Sequence, residues 1–362
     1  MPPLPRRLDA TPRVILYHQT HHQNGDQLVP LKPLLSTPLT HLILAAIHLN
    51  KDDANPHITL NDHHPSDARN NKLWPAVREL QDGGIKVLGM LGGAAKGSFQ
   101  VLDWAFTIAP LVGQGGEERF ETYYTLLHNF VKERQLDGLD LDVEEEMSLP
   151  GIIRLVDRLK RDFGPDFIIT LAPVAAALYT RDPRGNLSGF DYAALDSERG
   201  ESINWYNTQF YNGWGDAKEP QHYFACLAQQ FDPEKVVMGV LTNQANGPSG
   251  FVEMGVLIES ILSINEMCGN MGKRFGGVMG WEYFNAETGM GGGPEAWAEI
   301  LGALLGVSKE EREFKAVDEM ENRSARAEHE QGQQKVLKKE TKSEDDVEVP
   351  STFEYFSESE TA

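Results

Sequence analysis

The sequence predicts a closed α/β fold, a (β/α)8 TIM barrel, followed by a charged and disordered C-terminal tail. Two patterns predict the barrel. Eight short β-branched or aliphatic runs are each bounded by turn signals, and helix-like stretches separate most of them. The tail is predicted by a change of composition after Gly306, where aliphatic residues thin out and charges crowd together.

The strand candidates in order are Arg13–Gln19, Thr40–Leu49, Ile85–Leu91, Leu136–Glu144, Asp166–Pro173, Ile203–Tyr211, Lys235–Leu241 and Gly276–Tyr283. Stretches such as "LWPAVRELQDGG" and "GIIRLVDRLKRDFG" repeat apolar residues at helical spacing. A doubly wound open sheet is the alternative fold, but it rarely needs an eighth strand. The last helix reads "PEAWAEILGALLG", with Pro294 in its first turn, Trp297, Ile300, Leu301 and Leu304 on one face, and Gly306 at its end. The expected organisation is an extension over 1–12, a barrel over 13–306 and a tail over 307–362. The tail carries 9 basic and 16 acidic residues, and a transient helix is expected in it near Lys309 to Glu330.

A net charge of −21 argues against binding nucleic acid or anionic membrane, since both require a basic surface. No apolar run reaches the length of a membrane span. Cys226 and Cys268 are the only cysteines and read as free thiols. The N-terminal stretch lacks the apolar core of a secretory signal, so a cytoplasmic location is expected, a secreted mature form being the alternative. The sequons at Asn186 and Asn322 then read as chance matches. A monomer is expected.

The fourth strand candidate, "LDGLDLDVE", carries the chemistry. Side chains alternate faces along a strand, so Asp140, Asp142 and Glu144 point one way while Leu139, Leu141 and Val143 point the other. The apolar set suits the helix side. The acids then line the barrel interior and rise toward the C-terminal mouth, where barrel active sites lie. Stacked carboxylates raise at least one pKa and leave a proton shared within the group, so Glu144, the highest, can stay protonated as a general acid while the column beneath holds the charge. A structural acid cluster neutralised by Arg or Lys is the bland alternative, and a Mg²⁺ or Mn²⁺ carboxylate site a third. Glu145 stands where an EF-hand needs glycine, and no phosphate-binding loop accompanies the acids. No metal and no cofactor is expected.

"DGLDLDVE" resembles the D-G-x-D-x-D-x-E signature of glycoside hydrolase family 18, the chitinases and related endoglycosidases. The resemblance extends over about residues 13 to 305, with "QFYN" on the sixth strand and "GVMGWEY" on the eighth. "YHQT", "THLILAAIHLN", "GMLGGAAKGSF", "PDFIITLAPVAAAL" and "WYNTQFYNGWG" look closest to the family's fungal endo-β-N-acetylglucosaminidases. The resemblance implies retaining hydrolysis without an enzyme nucleophile, the substrate's acetamido oxygen attacking the anomeric carbon. It implies Glu144 as acid and then base, Asp142 as the residue that orients the acetamide, and Asp140 beneath, hydrogen-bonding Asp142. Tyr211 matches the tyrosine that hydrogen-bonds the acetamide, and Trp281 the tryptophan under the −1 sugar. Gln209 shares the parity of Tyr211, and Tyr17 and Gln19 are candidates for the same pocket. Asn212 stands where many bacterial-type chitinases have Asp, and "GMLGG" replaces the usual Ser-x-Gly-Gly. Asp137, of opposite parity, is assigned structural work.

Trp214, in a loop after a site strand, is a subsite candidate. Trp74, Trp104 and Trp297 read as core, and Trp205 as either. His18, His21, His22, His63 and His64 match no ligand spacing and read as exposed loop residues. The pair Gly92-Gly93 reads as close packing at a strand end. Three functions compete: an endoglycosidase that cuts between the two core N-acetylglucosamines of an N-glycan, a chitinase, and a non-catalytic chitinase-like lectin. The glutamate that such lectins have lost is present as Glu144, which favours an enzyme, and an N-glycan or another GlcNAc-containing oligosaccharide is the expected partner.

Overall fold

The protein is described by a computed structural model over residues 12–52, 54–103, 115–180 and 182–314. Eight parallel strands close a barrel: β1 (Arg13–His18), β2 (His41–Asn50), β3 (Lys86–Gly92), β4 (Gly138–Asp142), β5 (Ile168–Leu171), β6 (Trp205–Gln209), β7 (Val236–Leu241) and β8 (Gly277–Trp281). Each pairs with its successor, and β8 returns to β1 with Arg13 opposite Gly277. All eight predicted strands are present. Most are shorter than read, so Glu144, Tyr211 and Gln19 stand just beyond strand ends. A further short strand, His57–Leu60, pairs antiparallel with the end of β2.

Among the described residues, eight α-helices surround the sheet: α1 (Leu73–Asp82), α2 (Gly115–Arg134), α3 (Leu149–Phe163), α4 (Ala175–Tyr179), α5 (Tyr192–Arg199), α6 (Pro220–Ala228), α7 (Met254–Asn270) and α8 (Ala296–Leu305). Between β1 and β2 the chain makes a short antiparallel hairpin, His22–Gln23 with Gln27–Leu28, and a 3-10 turn, Lys32–Ser36, in place of an α-helix, in a segment punctuated by Pro30, Pro33 and Pro38. Proline removes the N–H that a helix interior needs. No described helix is long and apolar enough to cross a membrane.

α3 shows how local sequence sets an element. The Ser148 side chain caps its start by accepting from the Gly151 N–H, and Gly164 ends it at φ 85°. Between them Ile152, Leu155, Val156 and Leu159 form one buried face, each apolar side chain contributing about 1.5–3 kcal/mol. α8 buries Trp297, Ala298 and Leu301 and ends at Gly306, which adopts the left-handed conformation (φ 68°). Pro294 lies just before this helix rather than inside its first turn. Packing continues beyond Gly306: Val307 is buried, and the Arg312 guanidinium donates to the carbonyls of Leu35, Thr37 and Leu39. The tail from residue 315 onward and Trp104 lie outside the described residues.

Alternation sorts the strand residues into two layers. Leu139 and Leu141 join Val14, Leu16, Leu42 and Leu44 in the apolar layer under the helices. A second cluster of Ile15, Tyr17, Ile43, Leu88, Met90, Trp205, Val237 and Met279 fills the interior. Trp205 floors it, with the Arg13 guanidinium 4.4 Å and the His41 ring 4.7 Å away. Asp140 and Asp142 share this interior.

Closure depends on one crowded point. Gly277 has φ 117°, and a Cβ there would stand 2.1 Å from the Arg13 carbonyl oxygen. Gly277→Ala should therefore lower the unfolding free energy by about 2–4 kcal/mol in denaturant melts. Gly25→Ala, with positive φ but open space around it, should cost only about 1 kcal/mol. Equal losses in the two variants would contradict this account of closure.

Candidate active site

The acidic strand works in tiers. At its start Asp137 accepts hydrogen bonds from the Val87 N–H (2.9 Å) and the Gln81 amide (2.7 Å), tying β4 to β3 and α1. One tier up, Asp140 is fully buried. Its Oδ2 accepts from the Tyr17 hydroxyl at 2.6 Å, and its Oδ1 from Thr170 at 2.5 Å and Asn207 at 2.9 Å. These donors come from β1, β5 and β6, so the carboxylate is gripped across the barrel. Asp142 stands above, and its Oδ1 accepts from Gln209 Nε2 at 3.2 Å. Glu144, half-buried past the strand end, accepts from the same nitrogen at 3.4 Å.

Burial raises the pKa of all three acids, by different balances. For Asp140 the donors Thr170, Tyr17 and Asn207 oppose burial by stabilising the charged form. For Asp142 neighbouring charges add to burial: burial, then the charges of Glu144 and Asp140, push it well above the usual carboxylate range. Burial also raises Glu144, while the Gln209 hydrogen bond opposes the rise. The negative charge is therefore best satisfied on Asp140, and the proton belongs to Asp142 and Glu144 jointly. The sequence reading expected a proton shared within the group, and these balances narrow the sharing to Asp142 and Glu144. The expected hydrogen bond from Asp140 to Asp142 is corrected: the Asp140 oxygens are engaged by Tyr17, Thr170 and Asn207, and Asp140 acts on Asp142 through its charge.

The other predicted residues divide into two groups. Tyr17, Gln209 and Tyr211 converge on the acids. Tyr17 bonds Asp140 and lies with its ring centre 5.3 Å from that of Trp281, which ends β8. Tyr211 is buried, and burial and the charges of Asp142, Glu144 and Asp140 hold its phenol protonated, a donor at the pocket. Gln19, Asn212 and Trp214 are held mainly by backbone contacts. The Gln19 N–H donates to Glu282 and its carbonyl accepts from Asn61. Asn212 sits in a left-handed turn (φ 58°) with its buried Oδ1 close to Gly247, without a hydrogen-bond partner. The Trp214 carbonyl accepts from Ala176 N–H and the Tyr179 hydroxyl.

Gly92 and Gly93 let the backbone approach the acids. The Gly93 N–H donates to the Asp142 carbonyl at 2.9 Å, and a Cβ on Gly92 would stand 2.5 Å from that oxygen. Trp297 and Trp205 are buried, whereas Trp74 is half-buried beneath the Arg134 guanidinium.

Several contributors escaped the sequence reading. Thr170 and Asn207 have the interior parity of their strands, a signal that could have found them. Glu145 accepts from the Gly97 and Phe99 N–H groups, and Glu282 from the Gln19 and Thr20 N–H groups and the Thr20 hydroxyl. Each follows a pocket residue directly and ties down a loop at the barrel mouth. Nothing in composition separates them from surface acids. The reading of the histidines as exposed is corrected for His18 and His21, which are buried. Their rings pack 4.9 Å apart, and burial pushes His21 down to about 4 and His18 well below its ordinary value.

No family model matches the chain. Among solved structures it is similar to the chitinase ChiC of Aspergillus fumigatus, at 51% identity over 81% of this chain and 99% of that one, with TM-score 0.70. It is also similar to a fungal endo-β-N-acetylglucosaminidase of glycosyl hydrolase family 18, at 41% identity over 81% of this chain and 98% of that one, with TM-score 0.72. A curated relative, Chitinase 2 of Rhizopus oligosporus, is 27% identical over 218 residues. That match covers 57% of this chain and 35% of the relative, so the chain spans about a third of that relative's length. Two structures matched over nearly their whole length at such identities fix the kinship: the chain belongs to glycoside hydrolase family 18 and is a glycoside hydrolase.

Proposed function

We propose that the protein is a retaining endoglycosidase that hydrolyses the β-1,4 bond between the two core N-acetylglucosamines of N-glycans. The observation that carries the chemistry is the pair Asp142 and Glu144, sharing a proton above a carboxylate pinned by three donors. Glu144 protonates the leaving oxygen as the C1–O bond breaks. The substrate's acetamido oxygen bonds to C1, giving a cyclic oxazolinium ion. Asp142 orients the acetamide and balances the ion's charge, and Tyr211 donates to the acetamide oxygen. Glu144, now ionised, removes a proton from water, which opens the ring with net retention. Trp281 offers a flat apolar face to the sugar in the −1 site.

The similarity to a fungal endo-β-N-acetylglucosaminidase supports the N-glycan reading. The 51% identity to a fungal chitinase favours a second reading, hydrolysis of chitooligosaccharides by the same chemistry. A high-mannose glycoprotein and a chitin oligomer offered side by side separate the two. Release of the glycan with one N-acetylglucosamine left on the protein is the expected result, and cleavage of the oligomer alone would favour the second.

Glu144→Gln should lower kcat by about 10²-fold or more while leaving glycan binding largely intact. Retention of more than a small fraction of activity would remove Glu144 from the acid role. Asp142→Asn should slow hydrolysis of intact substrate yet transfer glycan from a preformed sugar oxazoline, checked by chromatography of the products. Inactivity toward every oxazoline donor would count against the assisted route.

A further inference from the structure

Gln209 occupies a place that sugar contact alone does not explain. Its backbone N–H is fixed to the Pro173 carbonyl at 2.8 Å, at the end of β6. Its side chain is buried, and Nε2 faces three acceptors: the Ala172 carbonyl at 3.0 Å, Asp142 Oδ1 at 3.2 Å and Glu144 Oε1 at 3.4 Å. An amide nitrogen carries two hydrogens. One is committed to Ala172, whose own N–H donates to Leu141, so that part of the frame is fixed. The second hydrogen stands between two carboxyls and can bond one of them at a time.

We propose that Gln209 is a positioning residue that directs the proton shared by Asp142 and Glu144, and thereby sets the pH range of the reaction. While Glu144 holds the proton, the amide hydrogen bonds ionised Asp142. As Glu144 gives its proton to the leaving oxygen, negative charge appears on Glu144 and the hydrogen is drawn there. A donor that strengthens its bond as charge develops favours the transition state over the bound substrate. The titratable groups facing the pair are Asp140 below, Tyr17 from β1, Tyr211 beyond β6 and Tyr192 from α5. Burial keeps the three phenols protonated, so they do not titrate in the working range. The inference rests on the reading of Glu144 as the acid.

The test compares pH profiles of kcat/KM for the native enzyme, Gln209→Met and Gln209→Glu on one substrate. Met keeps the length and removes the donor; Glu keeps the shape and replaces the donor with an acceptor. Loss of a hydrogen bond to a charged group corresponds to a shift of about one pH unit. Both limbs of the profile should move to higher pH by about that much in each variant, the alkaline limb further, because the doubly ionised pair loses most. If one variant fails to fold by circular dichroism, the other decides. Limbs that coincide with the native ones, with only KM raised, would show a sugar contact and overturn the proposal. Unmoved limbs in an enzyme that still requires Glu144 remove this inference alone, whereas an active Glu144→Gln enzyme removes the reading beneath it.

Discussion

Everything at the site follows from one constraint: a carboxylate has been placed on the dry axis of a barrel and must be held there. Taking such an ion from water costs several kcal/mol. Hydrogen bonds to a charged group contribute about 1.5–3 kcal/mol each. Asp140 receives three, from Tyr17, Thr170 and Asn207, so its desolvation is largely offset. Those donors come from three different strands, which means the closed sheet itself supplies the compensation. An open sheet could not surround the group in this way.

The satisfied charge beneath makes the acids above unusual. Asp142 receives a hydrogen bond from Gln209, feels two neighbouring carboxylates and is buried, so it resists ionising. Glu144 is nearer the mouth and is raised chiefly by burial. A gradient results, from a fixed charge at the bottom to a transferable proton at the top. The surroundings serve this gradient. Gly92 and Gly93 let backbone pack directly on Asp142, Tyr17 links Asp140 to the Trp281 ring, and Glu145 and Glu282 secure the loops beside the acid and the tryptophan. Functional groups that are uncomfortable when charged are a common source of lost stability, here concentrated in a few side chains of one strand.

Much of this was legible in the sequence, for a physical reason. Period-two alternation on β4 separates Asp140 and Asp142 from Leu139 and Leu141 without any knowledge of neighbours, and the structure follows that parity. Strand ends were less legible, because a strand stops where its partner stops: Glu144 and Tyr211 lie beyond the last paired residues. Long-range partners were least legible. Nothing local says that Thr170 and Asn207 would meet Asp140, or that Glu145 would bind two loop N–H groups. The buried His18 was misread because its sequence neighbours are polar, whereas its burial comes from His21 and Tyr283 packed around it.

The central claim, that Asp142 and Glu144 share a proton above a charged Asp140 so that Asp142 ionises less readily than it would in water, has a direct thermodynamic test. A group whose pKa rises on folding stabilises the fold below its unfolded pKa, and that contribution is lost as pH rises through the folded value. Asparagine at the same position cannot ionise. The measurement is the unfolding free energy of native protein and Asp142→Asn from pH 4 to pH 8 (the ordinary aspartate pKa being about 3.9). The account predicts that the variant is the more stable protein near neutrality and that its advantage shrinks toward the acid end. A variant that is less stable at neutral pH, by an amount that does not change with pH, would contradict it.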